Sequence, residues 1–257
     1  MKINYIFKKL NSFFRYGYIN AAGRNYSGHI CVRHKAGFFK IKKNLFIDWY
    51  KRINLFGYIM QIRKIVWFSG FIGLIIYQNG LSTNLLIADK VQVGMKIYNG
   101  DKFLNKNLIN GYSICLKYIP LFTKINNIEL KTYLGSSLLR AAGTSTTITM
   151  KTNNTISIKL KSGWNLTLNN QNLCTIGNMS NPGHKFMRLE KAGINRALGV
   201  RPTVRGVAQN PCDHPHGGGE GKKSPPAAQR SIWGWLTKGT LTTRKKFKLL
   251  IRKKLKD

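Results

Sequence analysis

The sequence predicts a mostly-β protein, with two small barrels in the middle of the chain and long basic extensions at both ends. Three observations predict it. Short apolar or aromatic runs of strand length alternate with Gly, Asn and Ser turn signals from about residue 30 to 168. The chain has 257 residues, which accommodates two barrels of ~70–80 residues plus flanking segments. It carries 43 Lys+Arg against 8 Asp+Glu, a formal net charge of +35, and the cations are densest at the ends. A hydrophobic content of 43% supports a core and excludes full disorder.

Residues 1–47 contain ten basic residues and no acid, and 1–29 read as a basic extension. The segment MKINYIFKKLNSFFRYGY has the look of a transit peptide, but we read it as a retained basic arm. The first barrel is assigned to 30–108. Its strands are read in HICVRH (29–34), KIVWF (64–68) and GLIIYQNG (73–80), the last closing on an Asn79-Gly80 turn. NLLIADKVQVGMKIYNG (84–100) adds two more around Gly94. The apolar run Ile65–Tyr77 has 13 residues and is interrupted by Ser69-Gly70, whereas a membrane span needs roughly 20.

NKNLINGY breaks the pattern at 105–112, and the second barrel is assigned to 109–187. YSICLKYI (112–119), NIELK (127–131), TTITMKT (146–152), TISIKLKSG (155–163) and WNLTL (164–168) are its strands. Lys151, Lys159 and Lys161 fall on alternating positions, which suits a solvated face and an RNA-facing one equally. Trp164 is expected in the core.

From 193 to 226 Gly, Pro, Arg and His dominate and apolar periodicity disappears, and 188–257 reads as a basic Gly/Arg-rich extension. RLEKAGINRALG (188–199) fits a short helix ending at Gly199. Trp233 and Trp235 have no core nearby and are expected against RNA or a neighbouring protein. The tail KKFKLLIRKKLK (245–256) has helical spacing and a basic face; RNA or a neighbouring protein is preferred over a membrane surface.

A charge of +35 opposes any compact state unless a polyanion neutralises it, and nucleic acid is the first candidate. The stretch GVRPTVRGVAQNPCDHPHGGGEG (199–221) is the most specific one for that chemistry. Gly217, Gly218 and Gly219 permit positive φ and close approach, and successive bare amides can form an anion nest. Arg201 and Arg205 can fork onto phosphate. Asn210, His214 and His216 supply planar groups that stack and hydrogen-bond on irregular RNA. Enzyme chemistry is excluded, since there is no nucleophile motif and no carboxylate pair. Cys212, Asp213, His214 and His216 lie too close along one segment for a tetrahedral zinc site, so no metal site is assigned and Cys212 is read as a small packed residue. The four cysteines form no CxxC pair, which argues against a disulfide scaffold.

This stretch resembles the signature loop of the L-two family of universal large-subunit ribosomal proteins. NAAGRNYSGHICVRHKAGFFK (20–40) is similar to the family's AGRN…G.I..RH..G segment, and NLLIADKVQVGMKIYNG to the one that closes its first barrel. IPLFTKINNIELK, LLRAAGTS (138–145), CTIG (174–177) and EKAGINRALGVRPTVRGVAQNP continue the match in order over roughly 20–240. The resemblance implies an OB-like barrel, then an SH3-like barrel, then a long extension. It implies binding of large-subunit rRNA near the peptidyl-transferase region, support of subunit association across to the small subunit, and neighbouring ribosomal proteins as partners. Carried over by position, the RNA-binding residues would be Arg24, Arg33, His34, Lys35, Arg140, Thr144, Arg188, Lys191, Asn195, Arg201, Arg205, Asn210, His214, His216, Gly217, Gly218, Gly219, Lys222, Trp233 and Lys238. No catalytic residue, small-molecule substrate or cofactor is implied, rRNA-associated magnesium aside.

The chain departs from the family over 40–64, at Gln209 and Cys212, and in its more apolar tail. Those departures, with a composition rich in Ile, Asn, Lys, Phe and Tyr, favour a mitochondrial, organelle-encoded version acting in the matrix. The rival reading is a general nucleic-acid-binding or membrane-peripheral basic protein.

Overall fold

The structure is a computed structural model that describes residues 14–17, 21–35, 43–65, 68–102, 108–220, 228–238 and 251–252. Backbone contacts divide the chain into two units. One comprises 1–17, 43–188 and 246–257, and the other 18–42 and 189–245.

Among the described residues, the first unit holds all the extended strands. They are β1 (Arg15–Gly17), β2 (Lys43–Leu45), β3 (Leu55–Lys64), β4 (Phe71–Tyr77), β5 (Ser82–Leu86), β6 (Lys96–Asn99), β7 (Ser113–Cys115) and β8 (Lys124–Asn126). There follow β9 (Ile128–Glu129), β10 (Ser136–Leu138), β11 (Thr146–Lys151), β12 (Thr155–Lys159), β13 (Asn165–Asn169), β14 (Leu173–Ile176) and β15 (Ile251–Arg252). Among the described residues the main sheet runs β15-β13-β12-β11-β8-β14-β7-β6-β3-β4-β5 and does not close, while β1–β2 and β9–β10 form two small ladders. The class is mostly β, as the sequence predicts, and the two halves are consistent with an OB-like and an SH3-like barrel. They join where β6 and β7 run parallel at the pair Asn99 and Ser113.

Alternation sets the core. In β12, Ile156 and Ile158 are buried while Thr155 and Lys159 are exposed, the period-two signature of a half-buried strand. Ile59, Ile75, Ile97, Ile114, Ile125, Ile148 and Ile158 share one buried cluster spanning both halves of the sheet. Burying each stabilises by ~1.5–3 kcal/mol. Leu45, Ile47, Ile72, Leu86 and Met179 form a second, smaller cluster.

Several local expectations are corrected. HICVRH is no strand. Cys31 and Val32 donate their amides to the Gly23 carbonyl in a folded loop, and Ile30 and Val32 stay exposed. KIVWF is not one either: β3 ends at Lys64, Ile65 and Phe68 lie in the connection, and 66–67 fall outside the described residues. The long strand there is β3, which has a bulge between Ile59 and Gln61. NIELK contributes two strand residues, and the helix read over 188–199 is confined to 192–197. Trp164 is 41% exposed at the turn between β12 and β13 rather than in the core.

The second unit is built differently. It contains α1 (Ala192–Ala197), a 3-10 turn at Gly206–Ala208 and isolated bridges, and no extended strand among its described residues. Among its described residues only Gly199 and His214 are buried, so turns and backbone hydrogen bonds, not apolar burial, define their arrangement.

Candidate nucleic-acid interface

The second unit collects most of the residues singled out above. In 21–35, Asn25 Oδ1 accepts from the amides of Ser27 (3.1 Å) and His29 (2.8 Å), an Asx turn that folds the segment tightly. Arg24, Arg33, His34 and Lys35 are all exposed on it. Lys35 bridges to Val200, and the His34 carbonyl accepts from the Arg201 amide at 2.8 Å. The structure thus joins the early basic segment to the signature stretch, which sequence reasoning had placed in separate modules.

Lys191 caps α1, and the Asn195 carbonyl accepts from the Val200 amide at 3.0 Å as the chain turns through Gly199. Arg201 and Arg205 are exposed beyond it. The loop then closes on itself. His214 donates its amide to the Asn210 carbonyl (3.2 Å), Gly217 to that of His214 (2.9 Å) and Gly218 to that of Gln209 (3.1 Å). A Cβ on Gly217 would stand 2.3 Å from the Asn210 carbonyl oxygen, and one on Gly218, at φ +80°, 2.6 Å from the Pro211 ring. These glycines are therefore required by the loop's own backbone. The anion nest is corrected accordingly, because the amides of Gly217 and Gly218 are consumed internally.

The two histidines clasp this loop. The His216 amide donates to His214 Nδ1 (3.0 Å) and the Arg230 amide to His216 Nε2 (3.1 Å), with the rings 4.9 Å apart. His214 is buried with its ring against Gly206. Both imidazoles use a lone pair to hold backbone, which is a shaping role rather than an acid–base one. Asn210 and Gly219 are exposed, and Cys212 is exposed rather than packed. Beyond the clasp, Arg230 bridges to Leu236 around Gly234, presenting Trp233 (60% exposed) and Trp235 (74%), with exposed Lys238 following. Lys222 and most of the 245–256 tail lie outside the described residues.

Three predicted residues belong to the first unit. The Arg140 guanidinium stacks 4.6 Å above the Trp49 ring, Thr144 Oγ1 donates to the Ala141 carbonyl (2.7 Å), and Arg188 is exposed at the unit's end.

Charge separates the interface from the interior. Both ion pairs among the described residues use Arg52, with Asp101 at 3.3 Å and with buried Glu129 at 2.7 Å. The cations of the second unit have no ion-pair partner among the described residues, so their charge is available to an outside anion. In the first unit, Lys51 is fully buried and donates to Thr175 Oγ1 at 2.7 Å. Burial lowers its pKa to about 8, against opposing attraction from Asp48, Cys174 and Glu129. No sequence signal marked that lysine as interior.

Comparison with known proteins agrees with this geometry. The model of the RNA-binding N-terminal domain of ribosomal proteins L2 matches residues 16–99, and the model of their C-terminal domain matches 109–234. A protein of Rickettsia canadensis (strain McKiel), named large ribosomal subunit protein uL2, is 37% identical over 241 residues, covering 93% of this chain and 87% of its own. The protein of that name from Wolbachia pipientis wMel is 37% identical over 227 residues, covering 88% and 81%. With two matching domains in order and this identity along nearly its whole length, the chain belongs to the ribosomal protein L2 family.

Proposed function

We propose that this chain is a structural component of the large subunit of a mitochondrial ribosome, where it binds large-subunit rRNA and contacts neighbouring ribosomal proteins. Its role is structural and not enzymatic. The observation that carries the reading is the second unit: a defined backbone with unpaired cations and almost no buried side chains. Such a segment gains its stability from what surrounds it, and phosphate is what its charge demands. The RNA-binding residues are those named above, with Lys222 included on sequence grounds. The stretch 199–221 enters folded RNA near the peptidyl-transferase region, and this helps subunit association and tRNA binding.

We read the domain scheme as 1–29, 30–108, 109–187 and 188–257. The gap between the two family models at 100–108, and the single parallel pair joining β6 to β7, support the middle boundary. The matrix location and organellar gene rest on the divergent ends and on the Rickettsia and Wolbachia relatives, whose lineage is compatible with a mitochondrial origin. No helix of the described residues is long and apolar enough to cross a membrane.

Crosslinking of the protein in its native particles tests the reading. RNA attached to residues 199–221 is expected to be large-subunit rRNA. Absence of nucleotide at that stretch, or flotation of the protein with lipid, contradicts it.

A further inference from the structure

We propose that the second half of the sheet carries a separate RNA-backbone site, a cleft built on Lys124, Lys159 and Lys161. The proposal rests on the RNA-binding reading above and adds a location outside the second unit. Register places the residues. Thr147 of β11 pairs with Lys124 of β8 on one side and with Lys159 of β12 on the other. The three form one cross-strand row, with the two lysines two strand spacings apart, about 10 Å. Their neighbours Ile125, Ile148 and Ile158 are buried, so alternation turns the row outward.

The row lines an open cleft of about 330 Å³ that also includes Ser145, Lys161 and Gly163. Thr146 Oγ1 donates to the Lys159 carbonyl and fixes that wall, and Lys161 Nζ reaches the Gly143 carbonyl at 3.4 Å. The turn from β12 to β13 closes through the Leu160 amide on the Trp164 carbonyl, with Gly163 at φ +83°, and leaves the indole 41% exposed. Hydroxyls and lysine ammonium groups around one concavity are donors for phosphate oxygens.

Electrostatics favours an anion there. Glu129 is the sole acid between residues 109 and 187, and it is fully buried and bound by Arg52. The cleft lysines have no counter-ion in their own half of the sheet. A segment of RNA with its phosphates in the cleft satisfies these donors.

The test uses the full chain and a transcript of large-subunit rRNA. Amine modification read by mass spectrometry is expected to show Lys159 and Lys161 protected by RNA, with exposed Lys90 as the control. The double variant Lys159→Gln/Lys161→Gln should lower the slope of log affinity against log salt by about 1.5, since each phosphate contact contributes roughly 0.7–0.9. Lys159→Arg/Lys161→Arg should restore it. Unchanged thermal melting in these variants assigns the losses to binding. Wild-type protein that binds while the glutamine variant matches it in affinity and slope overturns the cleft alone. Wild-type protein that fails to bind the transcript overturns the proposed function itself.

Discussion

The two units of this chain solve the problem of holding a shape in opposite ways. The first buries Ile and Leu from β3 to β14 and pairs its interior charges through Arg52. The second buries only Gly199 and His214 among its described residues and keeps its backbone in place by turns, Asx bonds and a histidine clasp. The difference teaches where each unit's free energy originates. The body is stabilised by its own apolar burial, whereas on the proposed function the second unit would be completed by a charged partner.

The sharpest way to break that contrast is to damage one unit and read both. Ile158→Ala removes a fully buried side chain from the body and should cost about 2–5 kcal/mol in thermal or denaturant unfolding. Arg201→Ala should leave the melting transition unchanged and weaken RNA binding instead. A melting loss from Arg201→Ala comparable to that from Ile158→Ala would erase the distinction.

The next effect belongs to Lys51. Its pKa is lowered in the folded state, to about 8, so the folded protein binds fewer protons than the unfolded chain between that value and the ordinary lysine range. Stability should therefore rise with pH across that window, by up to about 3 kcal/mol, and level off below about 8, where the lysine is protonated in both states. Lys51→Met should flatten this slope when unfolding is measured from pH 7 to 11. A slope that persists in the variant assigns it to other groups.

Gly218→Val should strain the loop by roughly 1–3 kcal/mol, from the left-handed backbone and the contact with Pro211. The expected outcome is a protein whose body melts normally but which sediments outside the large subunit. Normal incorporation would show that the loop tolerates a different path. The smallest effect is Arg140→Gln, which removes the stack on Trp49. It should cost about 0.5–1 kcal/mol in the body, measured by chemical denaturation.

How much of this was legible in the sequence follows the same division. Regular elements announced themselves where alternation was uninterrupted. TISIK and NLTL became β12 and β13, and the Asn79-Gly80 turn closes β4 on β5 with Gly80 at φ +79°. β3 escaped because its bulge at Ile59 to Gln61 shifts the phase of burial midway, which defeats a period-two reading. HICVRH misled because its apolar residues serve an exposed loop, and only tertiary pairing with Val200 and Arg201 explains its shape. The signature stretch stood out in the sequence, but the internal work of its glycines and histidines did not. Motif residues carry no mark of whether they face a partner or their own backbone. The Lys124–Thr147–Lys159 row required register, which a sequence does not contain.

Amide hydrogen exchange on the full chain, free and bound to large-subunit rRNA, tests the central claim most directly. The account predicts that amides of the body, such as those of Ile148 and Ile158, are protected in both states. Those of Arg201, Gly217 and Gly218, though bonded to carbonyls within the second unit, have no apolar core behind them; they should open and exchange far faster than the body's in the free protein and become strongly protected on RNA. Equal and strong protection of these three amides in the free protein would contradict it, because the second unit would then hold its shape without a partner.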